Sequence, residues 1–344
     1  MEYNIDILVA GCNTTCMHCY VNGGKAPSMK WEDFKYCMAK LEPVFAHFGK
    51  DVSFTLDNEL YNHPDAKEIL ELVEQRYSKN YYHHGSTTGI AILERADREE
   101  ILEILKRNGW LETSFAIHGG RETHDKMVSY NGALETIIEA SRLFKEKGFE
   151  VWLSLMISKK FAEDLAEVAE VLDEISYDHI LPVIPDYYPN GRLMKYQDIR
   201  CAKEQYETVI NFLKKIHVET ADVEKAIERY NEDAVLQHLA VDEVKGFLTE
   251  KETAFFHINQ NLDFYIGNTG SAQRYGGNLK KCSAEEIIRW MESSTDNFYE
   301  TATIHYGDIL DAASNGKLVR SKENYVYPNE VSAIIAMIQN RRDS

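Results

Sequence analysis

Short apolar runs alternate with helix-period stretches through the first half of the chain, and this alternation constrains the fold most. The apolar runs have the length of strands, and the intervals of about 30–45 residues between them suit βαβ units with right-handed crossovers. The predicted strands are 5–10, 52–56, 81–84, 113–118, 151–157 and 180–184, and the predicted helices are 31–48, 65–77, 97–108, 132–147 and 162–175. We therefore predict an α/β protein whose six units form an open, curved sheet or a partial (βα)6 TIM-like barrel.

The sequence pattern changes after residue 217. Residues 219–251 are charged and mostly helical in period, whereas 254–266 have a strand pattern interrupted by Asn-Gln-Asn. Ser283 and Glu286, just before an apolar helical pattern, form a capping-box motif. We predict two domains, a barrel at 1–217 and a small α+β extension at 218–344, packed together because no linker composition separates them.

Charge and hydropathy limit the partners and the location. The chain has 38 Lys and Arg against 56 Asp and Glu, a net charge of −18 that disfavours non-specific binding to nucleic acid. No apolar run approaches the roughly 20 residues of a membrane helix, and the first residues lack the pattern of a signal peptide. We expect a cytoplasmic protein without a membrane partner.

Three of the six cysteines, Cys12, Cys16 and Cys19, lie in the segment GCNTTCMHCY at 11–20. Six cysteines are too few for a disulfide scaffold in a chain of 344 residues, so their close spacing indicates metal ligation. The segment follows the first predicted strand, where functional loops of such barrels gather. Three thiolates can hold three corners of a [4Fe–4S] cluster and leave one iron open. A zinc site completed by His18 and a ferredoxin-like cluster with a distant fourth cysteine are the alternatives.

The Cys-x3-Cys-x2-Cys spacing after the first strand of a (βα)6 repeat resembles the radical S-adenosylmethionine (radical SAM) superfamily. The resemblance implies a [4Fe–4S] cluster on the three cysteines, with SAM chelating the open iron. In this superfamily an electron from the reduced cluster cleaves SAM, and a 5′-deoxyadenosyl radical abstracts hydrogen from the substrate. It also implies an electron donor of the flavodoxin or ferredoxin type.

Later segments resemble the segments that bind SAM in this superfamily. Asp57-Asn58-Glu59-Leu60 stands where a Gly-Gly-Glu-Pro run contacts the SAM amine, although both glycines are replaced, and Thr87-Thr88-Gly89 stands where Thr-Asn-Gly follows the third strand. In the fourth-strand segment, Ala116 replaces a serine and Ser114 lies on the same strand face. The implied SAM contacts are Tyr20, Asp57, Asn58, Glu59, Thr88, Ser114 and Ser154, with Glu59 at the methionine ammonium and Ser154 at the ribose.

Residues 258–267 and 276–283 resemble the SPASM or twitch extension, which holds auxiliary iron–sulfur clusters in many relatives. Those relatives have a cysteine near the position of Gly267 and more after the following helix, whereas this chain has none after Cys282. We therefore expect a degenerate extension that lacks auxiliary clusters.

Without an auxiliary cluster to accept an electron, the expected reaction is redox-neutral: epimerisation, elimination, decarboxylation or rearrangement of a small polar metabolite. An epimerisation needs a thiol to return hydrogen, and Cys282, then Cys201, are the candidates because Cys37 lies on the apolar face of its helix. Modification of a ribosomally made peptide or a tRNA is the alternative reaction. A noncatalytic iron–sulfur electron carrier or sensor is the alternative of another class.

Overall fold

The computed structural model describes residues 2–19, 23–77, 82–83, 85–187, 196–239, 241–242, 244–245, 253–267, 274–293 and 306–343. The strands are β1 Glu2–Leu8, β2 Val52–Asp57, β3 Tyr82–His83, β4 Glu112–Ile117, β5 Glu150–Met156, β6 His179–Val183, β7 Thr253–Ile258, β8 Asp263–Ile266 and β9 Arg274–Asn278. The helices are α1 Trp31–Phe48, α2 Ala66–Arg76, α3 Ile90–Glu94, α4 Arg98–Arg107, α5 Arg121–Val128, α6 Ala133–Glu146, α7 Lys159–Glu163, α8 Leu165–Glu174, α9 Tyr206–Lys215, α10 Ala221–Arg229, α11 Glu232–His238, α12 Ala284–Ser293, α13 Tyr306–Ser314 and α14 Glu330–Asp343.

The strands form two sheets that together make an open, partial barrel. One sheet has the order β3-β2-β1-β7-β8-β9 and the other has the order β4-β5-β6. Strands β1 to β6 pair in parallel within their sheets, whereas β7-β8 and β8-β9 are antiparallel. An isolated parallel bridge between Ser86 and Ser114 joins the segment after β3 to β4. The predicted α/β class and partial barrel are confirmed.

Alternating burial along the strands separates the helix-covered face from the inner face of the barrel. In β1, Ile5 and Ile7 are fully buried, and Asp6 between them points to the other face. The same alternation places Thr55 of β2 and Ser114 of β4 on the inner face. Polar side chains of β1, β2 and β4 therefore lie on the inside of the barrel, while the buried apolar residues of these strands pack under the helices.

The main helices form where the spacing of apolar residues in the sequence predicts them. Helix α1 has the predicted bounds and buries Phe34 and Cys37 on its apolar face. The predicted helix 162–175 is divided into α7 and α8, and the side chain of Ser158 caps α7 by accepting from Phe161 N–H at 3.1 Å. None of the helices in the described ranges is long and apolar enough to cross a membrane.

The C-terminal part extends the barrel sheet. Strand β7 pairs in parallel with β1 over six residue pairs, and β8 and β9 continue the sheet. Helix α12 packs on α1, and the predicted capping box is present: Ser283 N–H donates to Glu286 at 2.8 Å, and Glu286 N–H donates to Ser283 Oγ at 3.2 Å. The domain division at 217/218 stays a prediction.

Candidate active site

The cysteine loop is fixed by backbone hydrogen bonds to its neighbours. Cys12 N–H donates to Gly24 O at 2.8 Å, and Thr15 N–H donates to Val128 O at the end of α5 at 3.1 Å. These bonds satisfy backbone groups that would otherwise be buried without partners. The loop therefore has a defined conformation at the carboxyl end of β1.

Gly11 precedes the first loop cysteine at a point where two backbone segments come very close. A Cβ on this residue would lie 2.5 Å from Gly24 O and 2.7 Å from Ala26 O. Its own carbonyl accepts from Asn62 Nδ2 at 2.9 Å, which ties the loop to the segment after β2. Only glycine fits this position without moving the loop.

Short contacts also gather the three thiol side chains. Thr14 Oγ1 lies 3.1 Å from Cys12 Sγ and 3.4 Å from Cys16 Sγ, and Gly23 N–H donates to Cys19 Sγ at 3.0 Å. Within the described residues, no group of three His, Cys, Asp or Glu side chains could hold a single metal ion. A cubane differs from a single ion, because each thiolate binds a separate iron. The three-thiol donor set of this loop fits such a cluster.

Glu59 joins the segments that follow β2 and β3. Its carboxylate accepts from Thr87 Oγ1 at 2.9 Å, from Thr88 N–H at 2.8 Å and from Thr88 Oγ1 at 2.8 Å. Burial raises the pKa of this carboxyl, and these hydrogen bonds act in the opposite direction. Glu59 therefore positions Thr88, and the two predicted SAM contacts lie together in one cleft.

Asn58 has the backbone conformation that glycine usually adopts. Its φ of 65° lies in the left-handed region, which asparagine tolerates better than most residues. Its Oδ1 is buried and has no hydrogen-bond partner among the described residues. Asn58 thus combines a left-handed backbone with a buried acceptor, which the motif comparison alone did not indicate.

The cleft that contains these residues has a volume of about 420 Å³. It lies beside Cys12 and Cys19 at the carboxyl ends of β1 and β2 and includes three carboxyl groups, from Asp6, Asp57 and Glu59. Burial is the main cause that raises the pKa of Asp57. The cleft can therefore hold a polar ligand in contact with the cysteine loop.

The predicted contacts Ser114 and Ser154 lie on neighbouring strands of the second sheet. Ser114 Oγ is 2.6 Å from Ser86 Oγ, across the bridge that joins the two sheets. Ser154 is the residue opposite Ala116 in the β4–β5 pair and opposite Leu181 in the β5–β6 pair. Both serines face the inside of the barrel, and their contacts to SAM stay predictions. Tyr20, the remaining predicted contact, lies outside the described residues.

The two candidate hydrogen-donor cysteines do not lie in this cleft. Cys201 is fully buried in the main core, and burial raises the pKa of its thiol to about 12. Cys282 lies near α1, where its carbonyl accepts from Lys40 Nζ at 2.9 Å and its Sγ packs against Gly277. The hydrogen-donor role of either thiol stays a prediction that this geometry does not favour.

Two buried histidines, His118 and His124, pack behind the cysteine loop. The ring of His18, inside the loop, lies 4.3 Å from the ring of His118, and His124 of α5 lies 5.3 Å beyond it. Burial lowers the pKa of His118 well below its usual value and that of His124 to about 4. Both rings are therefore neutral at pH 7 and pack as uncharged groups. The fourth-strand motif contains His118, but the motif does not indicate this contact with the loop.

Comparison with known families identifies the domain that contains this site. A model of the Radical SAM superfamily matches residues 7–175, which include the cysteine loop and strands β2 to β5. Residues 7–175 of the chain therefore form a radical SAM superfamily domain. The chain is an enzyme, and the cofactors of this superfamily are a [4Fe–4S] cluster and SAM.

Individual relatives are distant from this chain. Fe-coproporphyrin III synthase of Methanosarcina barkeri (strain Fusaro / DSM 804) is 24% identical over 211 residues, which are 60% of this chain and 50% of that protein. The chain thus aligns with about half the length of this curated relative.

Solved radical SAM structures share the fold. Native anSMEcpe with bound AdoMet and a Cp18Cys peptide is 14% identical with a TM-score of 0.56, covering 100% of this chain and 97% of that one. SuiB of Streptococcus suis, bound to its precursor peptide SuiA, is 12% identical with a TM-score of 0.53, covering 96% and 76%. These likenesses support the partial barrel and do not transfer a substrate.

The arrangement of the residues divides the chemical tasks. A [4Fe–4S] cluster bound at the loop thiols would supply the electron for reductive cleavage of SAM. The loop thiols would hold the cluster at the strand ends, and Glu59 accepts hydrogen bonds from Thr87 and Thr88 along one wall of the cleft. Residues on the inner face of the barrel, Asp6, Thr55 and Ala116, line the same cleft.

Proposed function

We propose that this enzyme uses a single [4Fe–4S] cluster on Cys12, Cys16 and Cys19 to cleave SAM and abstract hydrogen from a small polar metabolite. The observation that supports this proposal is the cleft of about 420 Å³ beside Cys12 and Cys19, which has carboxyl and hydroxyl groups on its walls. The limited volume of the cleft suits a small substrate, and the carboxyl and hydroxyl groups on its walls can bind the polar groups of that substrate.

The proposed reaction is redox-neutral: an epimerisation, elimination, decarboxylation or rearrangement. The support is the cysteine content, since Cys37 and Cys201 are buried and no cysteine follows Cys282. The C-terminal extension then holds no auxiliary cluster that would take an electron from a substrate radical. A flavodoxin or ferredoxin-type protein is the proposed electron donor, and the reducing cytoplasm is the proposed location.

The test is anaerobic reconstitution with iron and sulfide, followed by reduction with dithionite in the presence of SAM. We expect 5′-deoxyadenosine to form, and its yield to rise when the correct metabolite is added. A reduced, cluster-loaded sample that forms no 5′-deoxyadenosine would favour the noncatalytic electron carrier or sensor.

Peptide modification is the second candidate. It is favoured by the full-length structural likeness to anSMEcpe, which was solved with a peptide bound. Two results together would establish this candidate over the metabolite. One is a gene for a short precursor peptide next to the gene for this chain. The other is a mass change in that peptide after incubation with the reduced enzyme and SAM.

A further inference from the structure

A row of polar and aromatic side chains crosses the inner face of the larger sheet. In register, Thr55 of β2 pairs with Asp6 of β1, and Asp6 pairs with His257 of β7. His257 pairs with Tyr265 of β8, which in turn pairs with Tyr275 of β9. Directly paired residues lie on the same face, so the row leads away from the cleft across the sheet.

The acidic end of this row lies inside the cleft. Thr55 Oγ1 donates to Asp6 Oδ1 at 2.6 Å, and Asp57 lies on the same face, two residues beyond Thr55. The pKa of Asp6 is raised to about 7, by burial first and by the nearby charge of Asp57 second. Among the described residues that line the cleft, none is a lysine or an arginine. The carboxyl groups therefore lack a cationic partner within the cleft.

The other end of the row is aromatic and runs from the buried His257 to the exposed Tyr275. The ring of His257 stacks on that of Tyr265 at 4.6 Å with an interplanar angle of 3°, and the ring of Tyr275 follows at 5.6 Å. Tyr275 is 57% exposed, and Phe255, two residues before His257 on the same strand face, lines the cleft. Stacked rings with an open edge suit the apolar or cationic part of a ligand.

A buried acceptor next to the row also lacks a donor. Asn4 lies two residues before Asp6 on the same face of β1, and its Oδ1 is buried without a hydrogen-bond partner among the described residues. A buried amide oxygen without a donor costs free energy, so its presence beside the cleft points to a ligand that carries N–H groups.

We infer that Asp6 binds a positively charged group of the substrate, a primary ammonium or a guanidinium, while the aromatic row holds the adjoining part of the molecule. This inference deepens the proposed function and rests on it. Such a group supplies two or more N–H donors and a positive charge, which the Asp6 carboxylate can accept, with Asp57 and Asn4 on either side of Asp6 along the sheet. Asp6 lies closer to the amino end of β1 than the cysteine loop does, so it anchors the substrate at the far end of the cleft from the cluster.

Calorimetry with three matched probes tests the inference on the reconstituted enzyme. Benzylamine, benzyl alcohol and benzoate share one ring and differ in charge. We expect benzylamine to bind at least tenfold more tightly than the other two, and Asp6→Asn to weaken benzylamine binding at least tenfold. Asp173→Asn is the control, because Asp173 is an exposed residue of α8, and binding should be unchanged.

Equal binding of the three probes, no binding of benzylamine, or unchanged binding in Asp6→Asn would overturn the inference. The probe comparison uses the natural chain, so it decides the question even where Asp6→Asn does not fold. Formation of 5′-deoxyadenosine from SAM is measured separately on the natural chain. A chain that binds benzylamine selectively but does not cleave SAM contradicts the proposed function, whereas cleavage without selective binding contradicts only this inference.

Discussion

At the scale of single residues, the segment after β2 shows what the motif comparison can and cannot predict. Glu59, which matches the motif, and Asn58, which replaces one of its glycines, are both visible in the sequence. The three-dimensional consequences are not, because the bonds from Thr87 and Thr88 come from a segment 28 residues away. The left-handed conformation of Asn58 is likewise a property of the fold rather than of the residue type.

Replacing Glu59 with glutamine should weaken SAM binding without removing iron. Glutamine keeps the size of the side chain but offers one acceptor oxygen in place of two, so the Thr87 and Thr88 segment loses its anchor and the cleft loses a carboxylate. Charge-assisted contacts of this kind contribute ~1.5–3 kcal/mol, or roughly ten- to a hundredfold in affinity. Equilibrium binding of SAM to the reconstituted protein measures this, with the exposed Glu139→Gln as control. An unchanged dissociation constant would transfer the role to Asp57 or Asn58.

Replacing Gly11 with alanine should reduce cluster content. The added Cβ would meet the backbone of Gly24 and Ala26 at distances that force the loop to move, and the three thiols depend on its conformation. We expect markedly fewer irons per chain after reconstitution, measured by an iron assay. The matched control is Gly307→Ala in α13, where a Cβ meets nothing within 4 Å. Full iron loading in both variants would show that the loop tolerates the shift.

At the scale of elements, local patterns predict the strands and helices well but not their long-range partners. Burial of every second residue identifies β1, β2, β4 and β5, because one face of each strand is covered by helices. The pairing of β7 with β1 joins residues about 250 positions apart, and no local pattern encodes it. In β9, Gly276 and Gly277 carry no side chain that would reveal which face is buried, so the side of the sheet on which Cys282 lies was not predictable.

The capping box of α12 should contribute measurably to stability. Ser283 accepts from the backbone N–H of Glu286, and its loss leaves a helix N-terminal donor without that partner. We expect Ser283→Ala to lower the free energy of unfolding by about 0.5–2 kcal/mol in urea titrations. Ser293→Ala at the other end of the same helix is the control, since its hydroxyl makes only a 3.4 Å contact to Trp290 O. An equal effect of the two variants would argue against the cap as the cause.

At the scale of the whole molecule, iron content tests the number of clusters. The chain has a single loop with three closely spaced cysteines, so we expect about four irons and four sulfides per chain. Changing Cys12, Cys16 and Cys19 together to alanine should abolish them. Values near eight or twelve irons would show that the C-terminal extension binds auxiliary clusters.

Stability of the cluster-free chain should fall as the pH rises towards 7 because of Asp6. The pKa of Asp6 is raised to about 7 in the folded chain from an ordinary value of 3.8, so the folded state holds a proton that the unfolded state has lost. This contribution is fully present below pH 4 and disappears as the pH passes through 7. Asp6→Asn should flatten the dependence of the melting temperature on pH between 5 and 8, whereas Asp173→Asn should not. Parallel curves of melting temperature against pH for the natural and Asp6→Asn chains would show that a group other than Asp6 causes the dependence.

The bridge between Ser86 and Ser114 links the two sheets next to the cleft, and this arrangement ties ligand binding to the mechanics of the barrel. A ligand that contacts Thr88 on one side and Ser114 on the other would hold both sheets at once. Its binding free energy would then add to the free energy that keeps the sheets docked, as mass action requires for any ligand that prefers the closed arrangement. Cofactor occupancy would thereby set the distance between the two sheets at this junction, and so the volume left for the substrate.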